Sequence, residues 1–417
     1  MSSITEVSAS RGSAQVGSAS RASGRSRRIV QLHVAGYRSV VDATLAPGRL
    51  CALVGEVQVG KSNLLAAVNT LLDEFAVLEP TDASTLAESP ILIEATLETG
   101  EQLALEASDV AVSRTGEPPA VLYLPATERA ASLVAAEPDD PVAERALGLF
   151  REALDEQGRG MPVASGTLPA ASLVDGLEAC CVLGIRGLVL LIEEPELYLR
   201  PQAQRYLYRL LRTFAQGGNQ VLYTTHSPNL LNVARLDELA LIRLTEHGTR
   251  ALQPEMLTPG EDFRLLTEFD AERSELFLAR AALIVEGQTE RLSVPFAFAA
   301  CGYDVDREGV SVVECGGKAN ILLFARVCRA AGIPFVALHD RDRGDEVLNK
   351  AIRTLAGVDR TVVLTPDFEH VAGLRAGSHK PERAWHRFSR IGRDELPGPL
   401  RDAVELVVDL ARAGGER

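Results

Sequence analysis

The chain has 417 residues, 46% of them hydrophobic, and a formal net charge of −14. That length predicts about two domains, each able to bury its own core, and the acidic balance argues against a large, uniformly basic nucleic-acid surface. No apolar run approaches the roughly 18 residues of a membrane span, so no membrane partner is expected. Six scattered cysteines with no C-x-x-C pair support neither a zinc site nor a disulfide framework, and predict a reduced, cytoplasmic protein.

Residues 1–28 are rich in Ser, Ala, Gly and Arg, with no apolar h-region. They predict a disordered tail, not a secretory signal; a transit peptide is the alternative. "IVQLHVAGYRSVVDATLAPGRLCALVG" predicts strands with a turn at Pro47-Gly48, and "NLLAAVNTLLDEF" a helix. A hairpin follows over "ILIEATLETGEQLALEA", turning at Thr99-Gly100, then a strand over "AVLYLPA". "DPVAERALGLFREALDE" and "ASLVDGLEACCVL" read as helices, the second feeding the strand "LVLLIEEPE". "QAQRYLYRLLRTFA" is a helix and "QVLYTTHSP" a strand with its loop. A domain junction is expected near residues 255–280, dividing 29–275 from 279–417. Beyond it, "AALIVEG", "VSVVECGG" and "FVALHDRD" read as strands alternating with the helices "RLSVPFAFAAC" and "NILLFARVCRAAG". Such alternation predicts an α/β half built on a parallel sheet, with its site at the carboxyl ends of the strands.

"GEVQVGKS", residues 55–62, fits G-x-x-x-x-G-K-[ST] between a strand and a helix. Backbone N–H groups of such a loop cradle phosphates, and Gly55 and Gly60 let the backbone approach closely. Lys61 is expected to reach the β- and γ-phosphates of ATP and Ser62 to ligate Mg²⁺. Downstream, Glu193 ends an apolar strand and is placed to hold Mg²⁺ through water. Glu194 is placed to polarise the attacking water, and His226 in "TTHSP" to contact the γ-phosphate or that water.

Together, "YRSV", "GEVQVGKS", "LLIEEPELYLRP" and "TTHSP" resemble the ABC-type ATPase heads of the RecF/SMC class. The resemblance adds Arg38 and Asn63 to the nucleotide site. It implies a homodimer in which ATP is sandwiched between two heads, each lending a signature Ser-Gly. Here that pair is Ser165 and Gly166 in "ASGTLPAASL". The loop carries "EVQV" where the class usually has Asn or Gly, and the stretch between loop and acidic strand has no sustained heptads for a coiled-coil arm.

The second half concentrates carboxylates at strand ends. Glu286 closes one strand and Glu290 lies a turn later; "VVECGGKAN" offers a Gly-Gly turn with Lys318; Asp340 and Asp342 follow the strand "FVALH". Alternating side chains put Asp340 and Asp342 on the same side, where two carboxylates repel unless a cation lies between them. Glu369 sits in "TPDFEHVAGL" and Lys380 in "GSHKPERAW". Between Arg375 and Arg401 bases outnumber acids, with His379, Trp385 and His386 interleaved. This reads either as a solvated helix face or as a phosphate-contacting edge.

A Glu after the first strand, a Gly turn after a middle one and D-x-D after a later one resemble a Toprim domain. An ATPase head followed by Toprim resembles the OLD (overcoming lysogenisation defect) family of ATP-dependent nucleases, over roughly residues 29–390. "LIVEGQTER", "DRD", "PDFE" and "HKPERAW" are the most specific pieces. The larger members' helical dimerisation insertion shrinks here to roughly residues 129–160. Oxygen-only ligands favour Mg²⁺ or Mn²⁺, and two such ions on Glu286, Glu290, Asp340, Asp342 and Glu369 would neutralise the carboxylates and clamp a phosphodiester. Lys380 would offset charge on the pentavalent phosphate. The resemblance thus implies an ATP-regulated, metal-dependent endonuclease nicking DNA, in phage defence or repair, with a helicase as a possible partner. The alternatives are a Toprim RNase acting on structured RNA, and an ATP-dependent DNA-binding sensor or scaffold with an inactive Toprim site. A primase or topoisomerase lacks both a recognisable nucleophilic Tyr and a zinc module.

Overall fold

The computed structural model describes residues 27–86, 90–108, 111–127, 129–158, 170–232, 235–254, 273–342, 344–375 and 378–415. Ser165 and Gly166, most of the tail expected over 1–28 and most of the junction expected at 255–280 lie outside the described residues. At the tail's end, Arg27 and Arg28 are not free: they pair with Glu101 at 3.0 Å and Glu98 at 3.2 Å.

The first half folds as two stacked sheets. In chain order it contains β1 (Ile29–Tyr37), β2 (Val40–Leu45), β3 (Leu50–Val54), α1 (Lys61–Leu72), β4 (Ile91–Leu97), β5 (Gln102–Ala107), β6 (Val112–Thr115) and β7 (Ala120–Leu124). There follow α2 (Arg129–Ala135), α3 (Pro141–Gly158), α4 (Ala170–Val182), β8 (Leu188–Glu193), α5 (Pro201–Gln216), β9 (Gln220–Thr225), β10 (Leu239–Thr245) and β11 (Gly248–Leu252). An antiparallel sheet is ordered β2-β1-β4-β5-β6, and a mainly parallel one β11-β10-β3-β9-β8-β7. The hairpin in the first stretch turns at Arg38-Ser39, with Arg38 at φ 49°. Pro47-Gly48 instead carries the chain from one sheet to the other.

Strand alternation explains the layering. Cys51 and Leu53 of β3 join α1 and the first sheet in one core, while Leu50, Ala52 and Val54 face α4 and α5 in another. A strand covered on both faces is a continuous apolar run, as "LCALV" is.

The second half has β12 (Ala281–Val285), α6 (Gln288–Cys301), β13 (Val310–Glu314), α7 (Lys318–Ala330), β14 (Phe335–Asp340), α8 (Glu346–Ala356), β15 (Thr361–Leu364), α9 (Phe368–Val371), α10 (Lys380–Phe388) and α11 (Gly398–Gly415). Its sheet is parallel throughout, ordered β13-β12-β14-β15. The chain leaves β12 to one side for β13 and to the other for β14. The switch point therefore lies between β12 and β14, and an open parallel sheet binds its ligands in the crevice there. Ala281, Leu283 and Val285 face a core with α6, α10 and α11. Ala282 and Ile284 face the opposite way, into the same core that holds Leu207 of α5 and Leu190 of β8. The halves are thus joined by apolar packing and not only by chain. Among the described residues no helix is long and apolar enough to cross a membrane.

Candidate functional site

The phosphate loop runs from the end of β3 into α1. Gly60, at φ 98°, lies so close to β11 that a Cβ there would stand 2.2 Å from Thr249 Oγ1. At Gly55 a Cβ would meet the Ile242 carbonyl, also at 2.2 Å. Only glycine fits either place. Gln58 takes a left-handed φ of 66° inside the divergent "EVQV". A side-chain relay fixes the loop from outside. Asn63 donates to Ser39 Oγ at 2.7 Å, Ser39 pairs with Thr249 at 2.8 Å, and Thr249 donates to the Val59 carbonyl at 2.9 Å. Asn63 is thereby a prop of the loop. Arg38 is committed to Asp82 at 2.8 Å.

Lys61 folds back on its own loop, donating to the carbonyls of Gly55 at 2.9 Å and Glu56 at 2.6 Å. Burial lowers its pKa to about 8, against the attraction of Glu194, Glu196 and Glu56. Ser62 stands exposed in the first turn of α1. Glu194 adopts φ 43° beyond β8 and is half-buried, with His226 Nε2 3.7 Å from its carboxylate. Burial, and then Lys61, hold the His226 imidazole below its ordinary pKa. Lys61, Glu194 and His226 therefore lie close enough to act on one another's charge. Glu193 accepts instead from Tyr123 and from Ala126 N–H, both at 3.0 Å, which ties it to the end of β7.

Two members of this site escaped the sequence reading. Arg129 is buried and donates to the Glu193 carbonyl at 2.5 Å. Glu196 accepts from Thr225 at 2.8 Å and from His226 N–H at 2.7 Å, so it seats the histidine loop. The third acid of "EEPE" was the available signal for Glu196. A third feature has no local signal at all. Glu56 of the loop pairs with Arg280, the residue before β12, at 2.8 and 3.0 Å.

At the other end of β12 stands the acidic cluster. Glu286 accepts from the backbone N–H of Asp340 at 3.3 Å, across the switch point between β12 and β14. Burial, then the charges of Glu290 and Glu286, push the Asp340 carboxyl up to about 8. Burial, then Glu286, pushes Glu290 up to about 7; burial raises Glu286 as well, and Asp342 adds to it. Asp340 Oδ1 is buried without a hydrogen-bond partner. The five expected ligands are close enough to feel one another's charge.

They are not, however, gathered into a cage. Among the described residues no group of three or more His, Cys, Asp or Glu stands ready to hold a metal ion. In the metal-free chain three of the five are engaged elsewhere. Glu290 is turned to the Gly287 N–H at 3.0 Å, capping α6. Asp342 is held by Lys318 at 3.2 Å, and Glu369 by Lys380. Asp345, which also feels Glu286, and Asp367, near Lys380, join the cluster and were not foreseen. Both are acids that begin helices, where a cap is the ordinary reading.

A pH dependence follows for the metal-free chain. A carboxyl whose folded pKa is raised holds its proton in the native state after the unfolded chain has released it. Stability therefore falls as pH rises, from about 4, the unfolded value, to about 8 for Asp340 and about 7 for Glu290. Melting in EDTA should drop across that window, and Asp340→Asn should flatten the drop.

Comparison with known proteins places both halves. A model of the Toprim domain of proteins like the overcoming lysogenization defect protein matches residues 277–342. A model of an AAA domain, described as a putative AbiEii toxin of a type IV toxin–antitoxin system, matches residues 163–232. A curated OLD nuclease of Thermus scotoductus is 35% identical over 288 residues, which are 59% of this chain and 54% of that protein. Over those residues the chain is similar to an OLD nuclease. The Old nuclease of Escherichia phage P2 is 26% identical over 191 residues, covering 44% of this chain and 32% of that one. The chain thus spans about half the length of the curated relatives it matches, or less. Among solved structures, the SMC head domain from Thermotoga maritima covers 55% of this chain and all of its own, with 17% identity and a TM-score of 0.37. The C-terminal region of the Burkholderia pseudomallei OLD protein covers 32% of this chain and 98% of its own, with 18% identity and a TM-score of 0.27. The chain is an α/β protein whose first half includes a stretch matching an AAA domain and whose second half carries a Toprim-like parallel sheet.

Proposed function

We propose that this chain is a divalent-metal-dependent endonuclease that nicks DNA and is regulated by ATP, acting as a homodimer through its ATPase heads. The observation that carries the reading is the Glu286–Asp340 contact at the switch point, with a buried, unpartnered Asp340 oxygen and three carboxyls raised by burial and then by one another's charge. Lys318 and Lys380 engage Asp342 and Glu369 but leave Asp340 and Glu290 raised, and the donors are all oxygens, which fits Mg²⁺ or Mn²⁺. Glu286, Glu290, Asp340, Asp342 and Glu369 would hold the metal. When bound, it would supply Lewis-acid charge at the phosphate and acidify a bound water.

The chain's own groups do the rest. Lys380, at the start of α10, presents an ammonium to the charge that builds on the phosphorus oxygens as water attacks and the 3′-oxygen leaves. Its pairing with Glu369 keeps it beside the cluster. In the head, Lys61 binds the β- and γ-phosphates, Ser62 and Glu193 serve the nucleotide's Mg²⁺, and Glu194 with His226 orients water. The Glu56–Arg280 pair supports the regulatory part. It joins the phosphate loop to one end of β12, and Glu286 follows the other. An exposed pair of this kind contributes only about 0–1 kcal/mol to stability, so its interest lies in where it connects.

Supercoiled plasmid and tRNA, digested in parallel with Mg²⁺ or Mn²⁺ and with or without ATP, test the proposal. Nicked circles with intact tRNA, at a rate that ATP alters, are expected. Cut tRNA with intact plasmid would favour an RNase. No cleavage of either would leave an ATP-driven binding protein.

A further inference from the structure

Lys318 is the one buried lysine of the Toprim half among the described residues. Two forces oppose it there. Burial disfavours an ammonium, and Lys318 is the first residue of α7, where the helix dipole presents its positive end. It is kept by carboxylates. Asp342 stands 3.2 Å from Nζ, Asp345 3.9 Å, and the charge of Glu286 reaches it as well. The turn before it is fixed to the same site, since Gly317 N–H donates to the Glu286 carbonyl at 2.9 Å. A cation held this way keeps Asp342 and Asp345 engaged in the metal-free chain.

We propose that Lys318 is the resident counter-cation of the acidic cluster, a positioning residue that holds Asp342 and Asp345 until a divalent ion competes for them. This rests on the metal-site reading above. Lys318 stabilises the metal-free chain and weakens the apparent affinity for metal, because a divalent ion at Asp342 must either displace the ammonium or bear its repulsion.

The experiment is Mn²⁺ titration of the nucleotide-free full chain after EDTA treatment, by calorimetry and by melting temperature. The proteins are wild type, Lys318→Met, Lys318→Arg and Asp340→Asn. Removing a unit charge within a few ångströms of a divalent ion should tighten Mn²⁺ binding by Lys318→Met roughly ten-fold or more. Metal-free Lys318→Met should melt below wild type, and Mn²⁺ should close that gap. Lys318→Arg should stay near wild-type affinity. Should Lys318→Met fail to fold, Lys318→Gln, whose amide can still donate to Asp342, carries the same comparison. Unchanged or weaker Mn²⁺ binding in the folded methionine or glutamine variant overturns the proposal while leaving the metal site standing, provided Asp340→Asn loses binding. If wild type binds no Mn²⁺, both readings fall.

Discussion

Asp340→Ala is expected to slow plasmid nicking by at least roughly a hundred-fold, the scale of losing one preorganised electrostatic group, while ATP hydrolysis stays at the parent rate. The separation is physical. Asp340 closes β14 at the switch point of the third sheet, whereas the phosphate loop leaves β3 in a different sheet. Melting distinguishes lost chemistry from lost fold. Asp340 is desolvated and repelled by Glu290 and Glu286, so removing its carboxyl relieves strain in the metal-free protein. The variant should melt no lower than wild type in EDTA and should gain less from added Mn²⁺. Circular dichroism, nicking rate and ATP turnover on one preparation check all three.

Lys61→Ala is expected to bring ATP hydrolysis to background and to leave nicking that no longer responds to ATP. Lys61 is buried, and its ammonium is satisfied by the carbonyls of Gly55 and Glu56. Its lowered pKa, about 8, means that the cost of burial is not fully offset by its neighbours. A γ-phosphate supplies the missing charge, and alanine removes the group that would answer it. The Ser39–Thr249 relay does not include Lys61, so the loop should keep its path and the variant its fold. Phosphate release by the variant, and nicking with and without ATP, measure both parts. Nicking by Lys61→Ala that still varied with ATP would show that the effect does not pass through this loop.

The parts legible in the sequence were those with local signatures. "GEVQVGKS" between an apolar strand and an amphipathic run marks a phosphate loop because its constraints lie within eight residues of chain. Glu286 and Asp340 were legible because apolar runs end abruptly at them, and in a parallel sheet such ends share one edge. What was not legible depends on distant partners. Thr249 props the loop from a hairpin, β10–β11, that the sequence reading did not identify. The turn at Arg38-Ser39 was hidden because Pro47-Gly48 is the stronger turn signal; that signal instead marks a change of sheet. Lys318 was visible after its Gly-Gly turn, but not its burial against Asp342 and Asp345. Strand alternation places acids on one side of a sheet; it does not say which of them a lysine or a helix cap has already engaged. That is why the sequence marks five acids but not Gly287, Lys318 and Lys380, which engage three of them.

Crystals of the full chain soaked in Mn²⁺ and measured at the manganese absorption edge test the central claim directly. The account predicts an anomalous peak between Glu286 and Asp340, at roughly 2.0–2.3 Å from a carboxylate oxygen of each, with Asp342 drawn from Lys318. Saturating Mn²⁺ with no peak within reach of Asp340, and with Lys318 and Lys380 still holding their carboxylates, would contradict it.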